Sequence, residues 1–550
     1  DTIVRSGTLV GDTGSIRNNI ANNGHVIFDQ EQDAVFSGTI SGRGTMGKRG
    51  EGTLILDSRS ALDWAIEEGG LVSRADLLGG NLEIAEDAFM RFDQNASGIY
   101  HGMIAGSGDF QVAIGVGNRL RLTGDSSAFA GETTVTGGSL VVDGRLGGFL
   151  SMQDGTVLAG AGTVGTTYIA SGATVAPGTG AGTLTVAGDF TQASGSVYEV
   201  DADADGTSDL IDVSGTATLE GGAVHVLAGT GNYAAASQYT ILAADGGVFG
   251  AYTGGVTSNL AFLDPSLSYD ANNVYLTMTR NEVGFVNVGN TRNQKAAGAA
   301  IESLGAGNAV HDAVLNLSGE QARDAFDRLS GEVHASVKTA MLEDSRFIRD
   351  AVMNRIRAAF GDTTLAVPPV MEFDDGSARL SAANTDTFAM WAQAFGSWGH
   401  WEGNGNAASF SRDAGGLLVG GDAYVADWRL GLVAGYSHSS TSLGERSSSG
   451  SSDNYHLGLY GGRKWGKVGF RSGVAYSWHD IDTSRSVSFP GFSEKLEGSY
   501  HAGTFQAFGE VGYRLDVAPK TVFEPFADLA HVSLKADGFT ETGGGAALTG

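Results

Sequence analysis

Five aspartates between residues 201 and 212 follow the spacing of a calcium-binding loop. Positions 1, 3, 5, 9 and 12 of such a loop would be Asp201, Asp203, Asp205, Asp209 and Asp212, with glycine at position 6. Carboxylate oxygens around a tight turn are the ligands that Ca²⁺ prefers. Position 12 is Asp, where a calcium loop has the longer bidentate Glu, and no helices are predicted on either side. A solvated acidic turn between two strands is therefore favoured, and the calcium loop is the alternative.

Patterns for other chemistry are weaker. The block Gly124-Asp125-Ser126-Ser127 is superficially like an esterase nucleophile block, but its fourth residue is not Leu. No G-x-S-x-G elbow has a plausible downstream Asp and His, and the 11 histidines form no H-E-x-x-H pair. The absence of cysteine excludes thiol chemistry and disulfides. We therefore expect no enzyme activity, no cofactor, and no metal site beyond the weak calcium loop.

Composition narrows the function further. The formal net charge of −28 disfavours nucleic-acid binding, which needs a basic surface. A chain of 550 residues without cysteine is compatible with export through an oxidising compartment, and its length suggests several folding units. No stretch of about 18 apolar residues occurs, so no membrane-spanning helix is expected.

Residues 1–280 repeat a short glycine-rich unit: an apolar residue, a small-Gly-x-Gly turn, and a short alternating strand. Examples lie at 36–45, 103–108 and 157–164. Such units suit a parallel β-helix, because each coil buries inward aliphatic side chains and glycine supplies the corners. A set of small β-sandwiches is the alternative for this region.

Helical spacing replaces the repeats further along the chain. The segments 313–328 and 333–360 are rich in Ala, Arg, Asp and Glu, and Gly331 is expected to separate them. Residues 362–386 contain Pro368-Pro369 and read as a linker.

The last third of the chain alternates apolar and polar residues with a period of two. In 428–437, Trp428, Leu430 and Leu432 share one face, and Arg429 and Gly431 share the other. The pattern recurs in later segments, with aromatic residues near the segment ends. An apolar exterior around a polar lumen is typical of an outer-membrane barrel, whereas a soluble sandwich would also alternate. About seven strands fit between residues 388 and 550, so this set does not close by itself.

The order of these parts resembles the classical monomeric autotransporters. Leu329–Ala335 continued by Met341–Asp350 is similar to the helical motif that precedes the barrel in that family. Met390–Gly396 resembles the first barrel strand, Gly415–Asp422 the second, and Glu524–Ala530 a later one. The closing strands and the terminal aromatic residue of the family are missing here, and we expect the chain to be a fragment cut at both ends.

The resemblance implies a twelve-stranded outer-membrane barrel with a helix through its lumen and a β-helical passenger exported to the cell surface. It also implies that residues 115–280 act as an autochaperone. The partners that it implies are outer-membrane lipid, the barrel-assembly machinery and periplasmic chaperones.

A lumen helix is also supported by the residues themselves. Residues 346–360 would be about 23 Å long, close to the height of an apolar barrel band of about 25 Å. Its polar side chains could not face lipid but suit a wet lumen. They are Arg346, Arg349, Asp350, Asn354, Arg355 and Arg357. Predicted lumen residues Asp422 and Glu510, with Gln506 in the same row as Glu510, could pair with these arginines. The alternative is an amphipathic helix on a soluble domain.

Taken together, the sequence predicts an all-β fold: a parallel β-helix, a linker α-helix and an incomplete antiparallel transmembrane barrel. The predicted segments are passenger repeats at 1–114, an autochaperone region at 115–280, helical linker at 281–361, a second linker at 362–386, and barrel at 387–550. We expect the passenger to be an adhesin that binds a host or surface ligand. The alternative is a hydrolase passenger whose catalytic part lies outside this sequence.

Overall fold

A computed structural model describes residues 1–229, 233, 236–362, 368–374, 377–518 and 521–550. The chain divides into two compact units. The first contains Asp1–Glu282 and Leu315–Ser318, and the second contains Val283–Val314 and Gly319–Gly550.

The first unit consists of short strands that pair in parallel with the equivalent strand of the next coil. Its strands are β1 Thr2–Val4, β2 Thr8–Gly11, β3 Ile20–Asn22, β4 His25–Asp29, β5 Ala34–Phe36, β6 Ile40–Gly42, β7 Thr45–Arg49, β8 Thr53–Leu56, β9 Trp64–Ile66, β10 Gly69–Ser73, β11 Leu82–Ile84, β12 Ala88–Gln94, β13 Gly98–Tyr100, β14 Ile104–Gly106, β15 Asp109–Ile114, β16 Arg119–Leu122, β17 Asp125–Ser126, β18 Glu132–Thr136, β19 Ser139–Val142, β20 Arg145–Met152, β21 Val157–Gly160, β22 Thr163–Ile169, β23 Thr174–Pro177, β24 Thr183–Val186, β25 Phe190–Gln192, β26 Val197–Ala202, β27 Leu210–Val213, β28 Ala217–Leu219, β29 Ala223–Ala228, β30 Ala236–Ala244, β31 Val248–Gly250, β32 Val256–Ser258, β33 Leu263–Tyr269 and β34 Asn273–Arg280. A 3₁₀ turn covers Ala75–Leu77.

Inward side chains stack at the same register position in successive coils. Leu54 lies beside Leu71, Leu71 beside Met90, and Met90 beside Phe110, and all four are fully buried. A single coil cannot bury its own apolar side chains, so each coil is stabilised by its neighbours. The predicted parallel β-helix is confirmed.

Glycine is required where the coils approach each other at a corner. Gly106 has φ +97°, and a Cβ at this position would lie 2.0 Å from the carbonyl oxygen of Ile84 in the preceding coil. The strand pairing changes at the C-terminal end of the solenoid. There β34 runs antiparallel to both β30 and β33.

The helices of the described chain precede the last set of strands. They are α1 Phe285–Val288, α2 Arg292–Leu304, α3 Ala309–Leu315, α4 Gly319–Leu329, α5 Glu332–Asp344 and α6 Arg346–Ala359. Gly331, with φ +67°, separates α4 from α5, as expected from the sequence. The predicted helix over 333–360 is divided at Ser345, which keeps helical backbone angles. No helix among the described residues is long and apolar enough to cross a membrane.

Long antiparallel strands complete the second unit. They are β35 Val370–Asp374, β36 Ser377–Ser381, β37 Phe388–Trp401, β38 Phe410–Val425, β39 Trp428–Leu443, β40 Ser448–Trp465, β41 Val468–Phe489, β42 Phe492–Tyr513, β43 Leu515–Ala518, β44 Thr521–Phe523 and β45 Phe526–Ala536. A 3₁₀ turn covers Gly444–Arg446. In the described part of the chain, the main sheet has nine strands: β37 to β42 and β45 follow one another in chain order, and β35 and β36 extend the sheet beyond β37. The segment predicted as a linker contains the β35–β36 hairpin, and β35 pairs with β37.

The two faces of this sheet differ in chemistry. Leu430, Leu432 and Leu459 leave 45%, 56% and 57% of their surface exposed on the outer face. Arg429 and Arg471, on the opposite face, are 1% and 0% exposed. An apolar outer face and a polar inner face are the arrangement of a membrane barrel wall. The arrangement is therefore that expected for a lipid-facing wall around a polar lumen.

Candidate functional site

Helix α6 packs against the inner face of the barrel wall. Ile348, Val352 and Ile356 are spaced by four residues, so they lie on one side of the helix, and all are at most 2% exposed. They share an apolar cluster with Leu418 of β38 and Phe508 of β42. The helix is thus seated by apolar packing on one side, and Arg355 and Arg357 contact other parts of the wall.

Asp422 of β38 is the centre of a buried polar network. Arg355 donates to both of its oxygens, Nε to Oδ2 and Nη2 to Oδ1, each at 2.7 Å. Arg429 donates from Nε to Oδ1 at 2.5 Å, and the Tyr460 hydroxyl donates to Oδ2 at 2.7 Å. Trp391 in turn donates to the Tyr460 oxygen at 2.6 Å. A buried charge is tolerated only when it is paired and hydrogen-bonded, which is the case here.

A second clamp joins the helix to a different strand. Arg357 donates from Nε to Oε1 of Glu510 on β42 at 3.1 Å and also pairs with its other oxygen. Arg471 of β41 donates from Nη1 to the same Oε1 at 2.6 Å. Two neighbouring arginines of α6 therefore bind separate strands, which fixes both the height and the rotation of the helix.

The chain just beyond α6 is held by a third ionic cluster. The Asp362 side chain is 1% exposed and pairs with Lys464, with Arg471 at 2.9 Å and with Arg514 at 3.3 Å. These three cations come from strand β40, strand β41 and the loop after β42. The end of the helix is therefore attached to the same end of the wall as the short turns at 426–427 and 466–467.

The α5–α6 junction contacts the wall near the middle of the strands. Gln506 is fully buried and donates from Nε2 to the carbonyl oxygen of Ser345 at 3.0 Å. Arg412 lies 2.5 Å from Asp344, the last residue of α5. These contacts continue the line of polar attachments from α6 into α5.

Polar contacts also connect α4 and α5 to the loops at the opposite end of the wall. Arg446 pairs with Asp327 at 3.3 Å and with Glu332 at 3.2 Å. Glu332 also accepts from the backbone N–H of Ala408 at 2.7 Å. The start of α5 is therefore tied to two different interstrand loops.

Glu541, in the segment after β45, forms a related cluster. It accepts from Arg485 through both oxygens at 2.8 and 2.6 Å and lies 2.9 Å from His334 of α5. Burial would raise the pKa of Glu541, but the His334 and Arg485 contacts and the backbone N–H of Leu548 lower it to about 2. The carboxylate is thus ionised whenever this segment is docked.

The structure places the predicted lumen residues in two groups. Arg355 and Arg357 reach Asp422 and Glu510, and Gln506 reaches the helix junction, as described above. The other predicted polar residues of α6 lie elsewhere: Arg346, Asp350 and Asn354 are exposed, and Arg349 is half-buried. Of the four arginines predicted for the lumen helix, Arg355 and Arg357 thus have acidic partners on the described wall strands.

Several residues of the network had no assigned role in the sequence analysis. Arg429 and Arg471 alternate with lipid-facing residues, so the two-residue period already places them on the lumen face. The same two-residue period places Tyr460 on the lumen face. Asp362 and Glu541 lie outside regular strands, and nothing local in the sequence indicates their partners.

The predicted calcium loop folds as a tight turn between β26 and β27. The Asp209 oxygens accept from the backbone N–H groups of Gly182 and Asp201 at 2.8 and 2.9 Å. Asp205 accepts from Thr207, and Asp212 faces outward on β27. Burial raises the pKa of Asp209 to about 7. Within the described ranges, no group of three or more His, Cys, Asp or Glu could hold a metal ion.

The serine of the esterase-like block has a structural contact. Ser126 is 4% exposed, and its Oγ accepts from the backbone N–H of Ile104 at 2.8 Å. Asp125 accepts from the N–H of Ser127 at 3.1 Å. Both residues stabilise a corner of the solenoid.

Comparison with known proteins gives three findings. Residues 390–550 match the family model described as "Autotransporter beta-domain". Two proteins of Serratia marcescens, each named extracellular serine protease, are 33% identical over 484 residues and 29% identical over 479 residues. These alignments cover 78% and 77% of this chain but only 44% of each relative, so the chain spans less than half the length of the curated relatives it matches.

A solved structure, the translocator domain of autotransporter NalP from Neisseria meningitidis, matches 40% of this chain and 66% of that one. The identity is 18% and the TM-score 0.29, a likeness too weak to support a conclusion.

These relatives overturn one expectation from the sequence. We expected the chain not to be an enzyme, and this prediction is wrong, because relatives aligned over most of the chain are named proteases and point to an enzymatic passenger.

Proposed function

Because the chain belongs to the autotransporters, with an outer-membrane barrel and an exported passenger, we propose that the passenger it exports is an extracellular serine protease. Residues 1–282 would form the β-helical stem of that passenger. The support for the protease is the 33% identity to a protein so named, across 78% of the chain.

Helix α6 is proposed to occupy the lumen after export. This proposal rests on the two ion pairs Arg355–Asp422 and Arg357–Glu510. They join α6, which precedes the barrel in the sequence, to two separate wall strands. Such buried pairs favour one position of the helix, because any displacement leaves desolvated charges without partners. The helix would therefore close the pore and tether the passenger.

The energy for export is proposed to come from folding outside the cell. Each coil that folds buries stacked side chains such as Leu71 and Met90 against the preceding coil. Burial of apolar surface contributes roughly 25 cal/mol per Å², so a growing solenoid makes backward movement progressively unfavourable. No nucleotide is needed in this scheme.

Adhesion is the competing hypothesis for the passenger, since long repeat surfaces bind partners. The test is to express the full-length gene in a Gram-negative host and assay the released passenger on unfolded casein. We expect casein cleavage that a fluorophosphonate inhibitor abolishes. An intact, surface-exposed passenger that binds host cells but never cleaves casein or reacts with the inhibitor would contradict the protease proposal.

Transport is tested separately on the same strains. The full-length barrel is expected in the outer-membrane fraction, with a gel mobility that changes on heating, and the passenger is expected to be accessible to antibody on intact cells. A protein extracted by mild salt, with unchanged mobility, would contradict the barrel.

A further inference from the structure

We propose that the outer face of the barrel carries a binding site for one glycerophospholipid. The site lies near the end of the wall to which the chain just beyond α6 is attached. This inference rests on the barrel lying in the outer membrane. The site is a groove of about 390 Å³ that crosses strands β39 to β42. We call it the rim groove, and its walls and floor include Trp428, Leu430, Leu459, Gly461, Ser472 and Val474.

The floor of the rim groove is made by small residues in one cross-strand row. Gly461 on β40 lies directly beside Ser472 on β41, and Ser472 lies beside Gly509 on β42. The next row contains Leu459 and Val474, which are 57% and 42% exposed. Three small residues between larger apolar neighbours leave a depression in an otherwise apolar surface. An acyl chain is the ligand whose shape and polarity suit it.

A cationic group lies beside the groove on the same face. Arg463 is two residues from Gly461 on β40, so its side chain is on the lipid side, about 7 Å further along the strand. Its guanidinium lies 5.3 Å from the centre of the Trp465 ring and donates to Asp427 at 2.6 Å. Its Nε is buried without a hydrogen-bond partner among the described residues. Lys467, in the following turn, is exposed.

The charges and the position together select the ligand. Arg463 and Lys467 carry two positive charges against the single negative charge of Asp427, so the rim favours an anion. The turns at 426–427 and 466–467 lie at one edge of the apolar outer face, which is where lipid head groups meet such a barrel. The neighbouring leaflet therefore supplies phosphates at the height of Arg463. Trp428 and Trp465, whose rings lie 5.8 Å apart, are typical of this boundary.

A phospholipid would then bind with its phosphate at Arg463 and Lys467 and one acyl chain along the rim groove. Arginine is suited to phosphate because its planar guanidinium offers paired N–H donors. The bound lipid would cover the thin part of the wall, where Gly461 and Ser472 contribute little side-chain volume.

The test uses the full-length protein purified from outer membranes in a mild detergent. Native mass spectrometry would measure retention and titration of dioleoylphosphatidylglycerol. We expect one tightly held lipid. Ser472→Leu, which fills the groove, and the double variant Arg463→Gln/Lys467→Gln, which removes the cations, should each weaken binding roughly tenfold or more.

Matched controls separate the site from general effects. Ala434→Leu adds the same side chain on the lipid face outside the groove, and Lys495→Gln removes an exposed cation at the opposite end of the wall; both should bind as the unaltered protein does. Equal lipid retention in all variants would overturn the proposal. Displacement of the lipid by millimolar inorganic phosphate would also overturn it, because the groove would then contribute nothing.

Heat-dependent gel mobility of each variant distinguishes the two levels of failure. A variant that retains this mobility but binds lipid normally contradicts only the lipid site. Loss of the mobility in the unaltered protein would contradict the barrel itself.

Discussion

At the scale of single residues, the barrel wall keeps its charges buried by giving each one several partners. Asp422 has three partners, since two arginines and a tyrosine donate to it. Such networks contribute little net stability compared with apolar packing, but removing one partner leaves the others desolvated. Their effect is therefore to select one position of α6 against the wall.

Asp422→Asn should destabilise the docked helix by about 3–5 kcal/mol, because Arg355 and Arg429 would stay buried without their counter-charge. Thermal unfolding of the full-length barrel, followed by heat-dependent gel mobility, measures this loss. The control is Asp413→Asn, an exposed carboxylate on the same strand, which should change stability by less than about 0.5 kcal/mol. Equal stability of the two variants would contradict the clamp.

Asp209 makes the stem sensitive to pH. Its folded pKa of about 7 exceeds the ordinary aspartate value of 3.8, so the folded stem binds more protons than the unfolded chain between these values. The stability of the purified stem should therefore fall as the pH rises from about 4 to 7. Denaturant unfolding at several pH values tests this, and Asp209→Asn should remove this part of the pH dependence. An unchanged profile in the variant would contradict the assignment.

At the scale of elements, the close packing of α6 against β40 depends on a glycine, Gly462. A Cβ at Gly462 would lie 2.8 Å from Ile356 Cγ2 of α6 and 2.8 Å from the Phe470 carbonyl oxygen. Both distances are shorter than normal contacts, so any side chain here must push the helix away from the wall.

Gly462→Ala should therefore loosen the plug and cost about 1–3 kcal/mol, as overpacking does. Conductance of the full-length protein in planar bilayers should rise, because the helix no longer closes the lumen fully. Gly415→Ala is the matched control, since the nearest atom to its Cβ would be 3.8 Å away. If both variants conduct like the unaltered protein, α6 is not seated as described.

How far the sequence predicted these elements depends on the range of the interactions involved. The two-residue period placed Arg429 and Leu430 on opposite faces, and polar spacing in α6 pointed to Asp422 and Glu510. The hairpin β35–β36 was missed, because β35 is stabilised by pairing with β37, which lies outside the predicted linker. At 201–212, where an acidic turn was favoured over a calcium loop, a bridge between Ala202 and Ser208 folds the aspartates into a turn.

At the scale of the whole molecule, a solenoid and a barrel wall divide the work of folding and transport. The solenoid gains stability with each coil that stacks on it, whereas a barrel closes only when all of its strands have paired. Between Arg145 and Arg280 the chain contains no Lys or Arg, so this part of the stem is uniformly acidic. Its surface charge keeps it soluble and does not drive its folding, which comes from the stacked core.

Coils close to the barrel in sequence should matter most for export. Leu184→Asp, within the region predicted to fold first, should remove most passenger from the surface of intact cells. Leu54→Asp, an equally buried change in an early coil, should leave export largely intact. Antibody labelling of cells compares the two, with total barrel in the membrane as the reference. An equal loss for both positions would contradict a directional folding order.

The three-cation cluster at Asp362 has a mechanical consequence. In the proposed tethered state, fluid drag on the passenger would be transmitted along the chain to α6 as tension. Asp362, Arg355 and Arg357 anchor that helix to four strands at different heights, so the load is shared in parallel and several ion pairs must shear together. The anchor should thus resist steady pulling far better than any one of its bonds would.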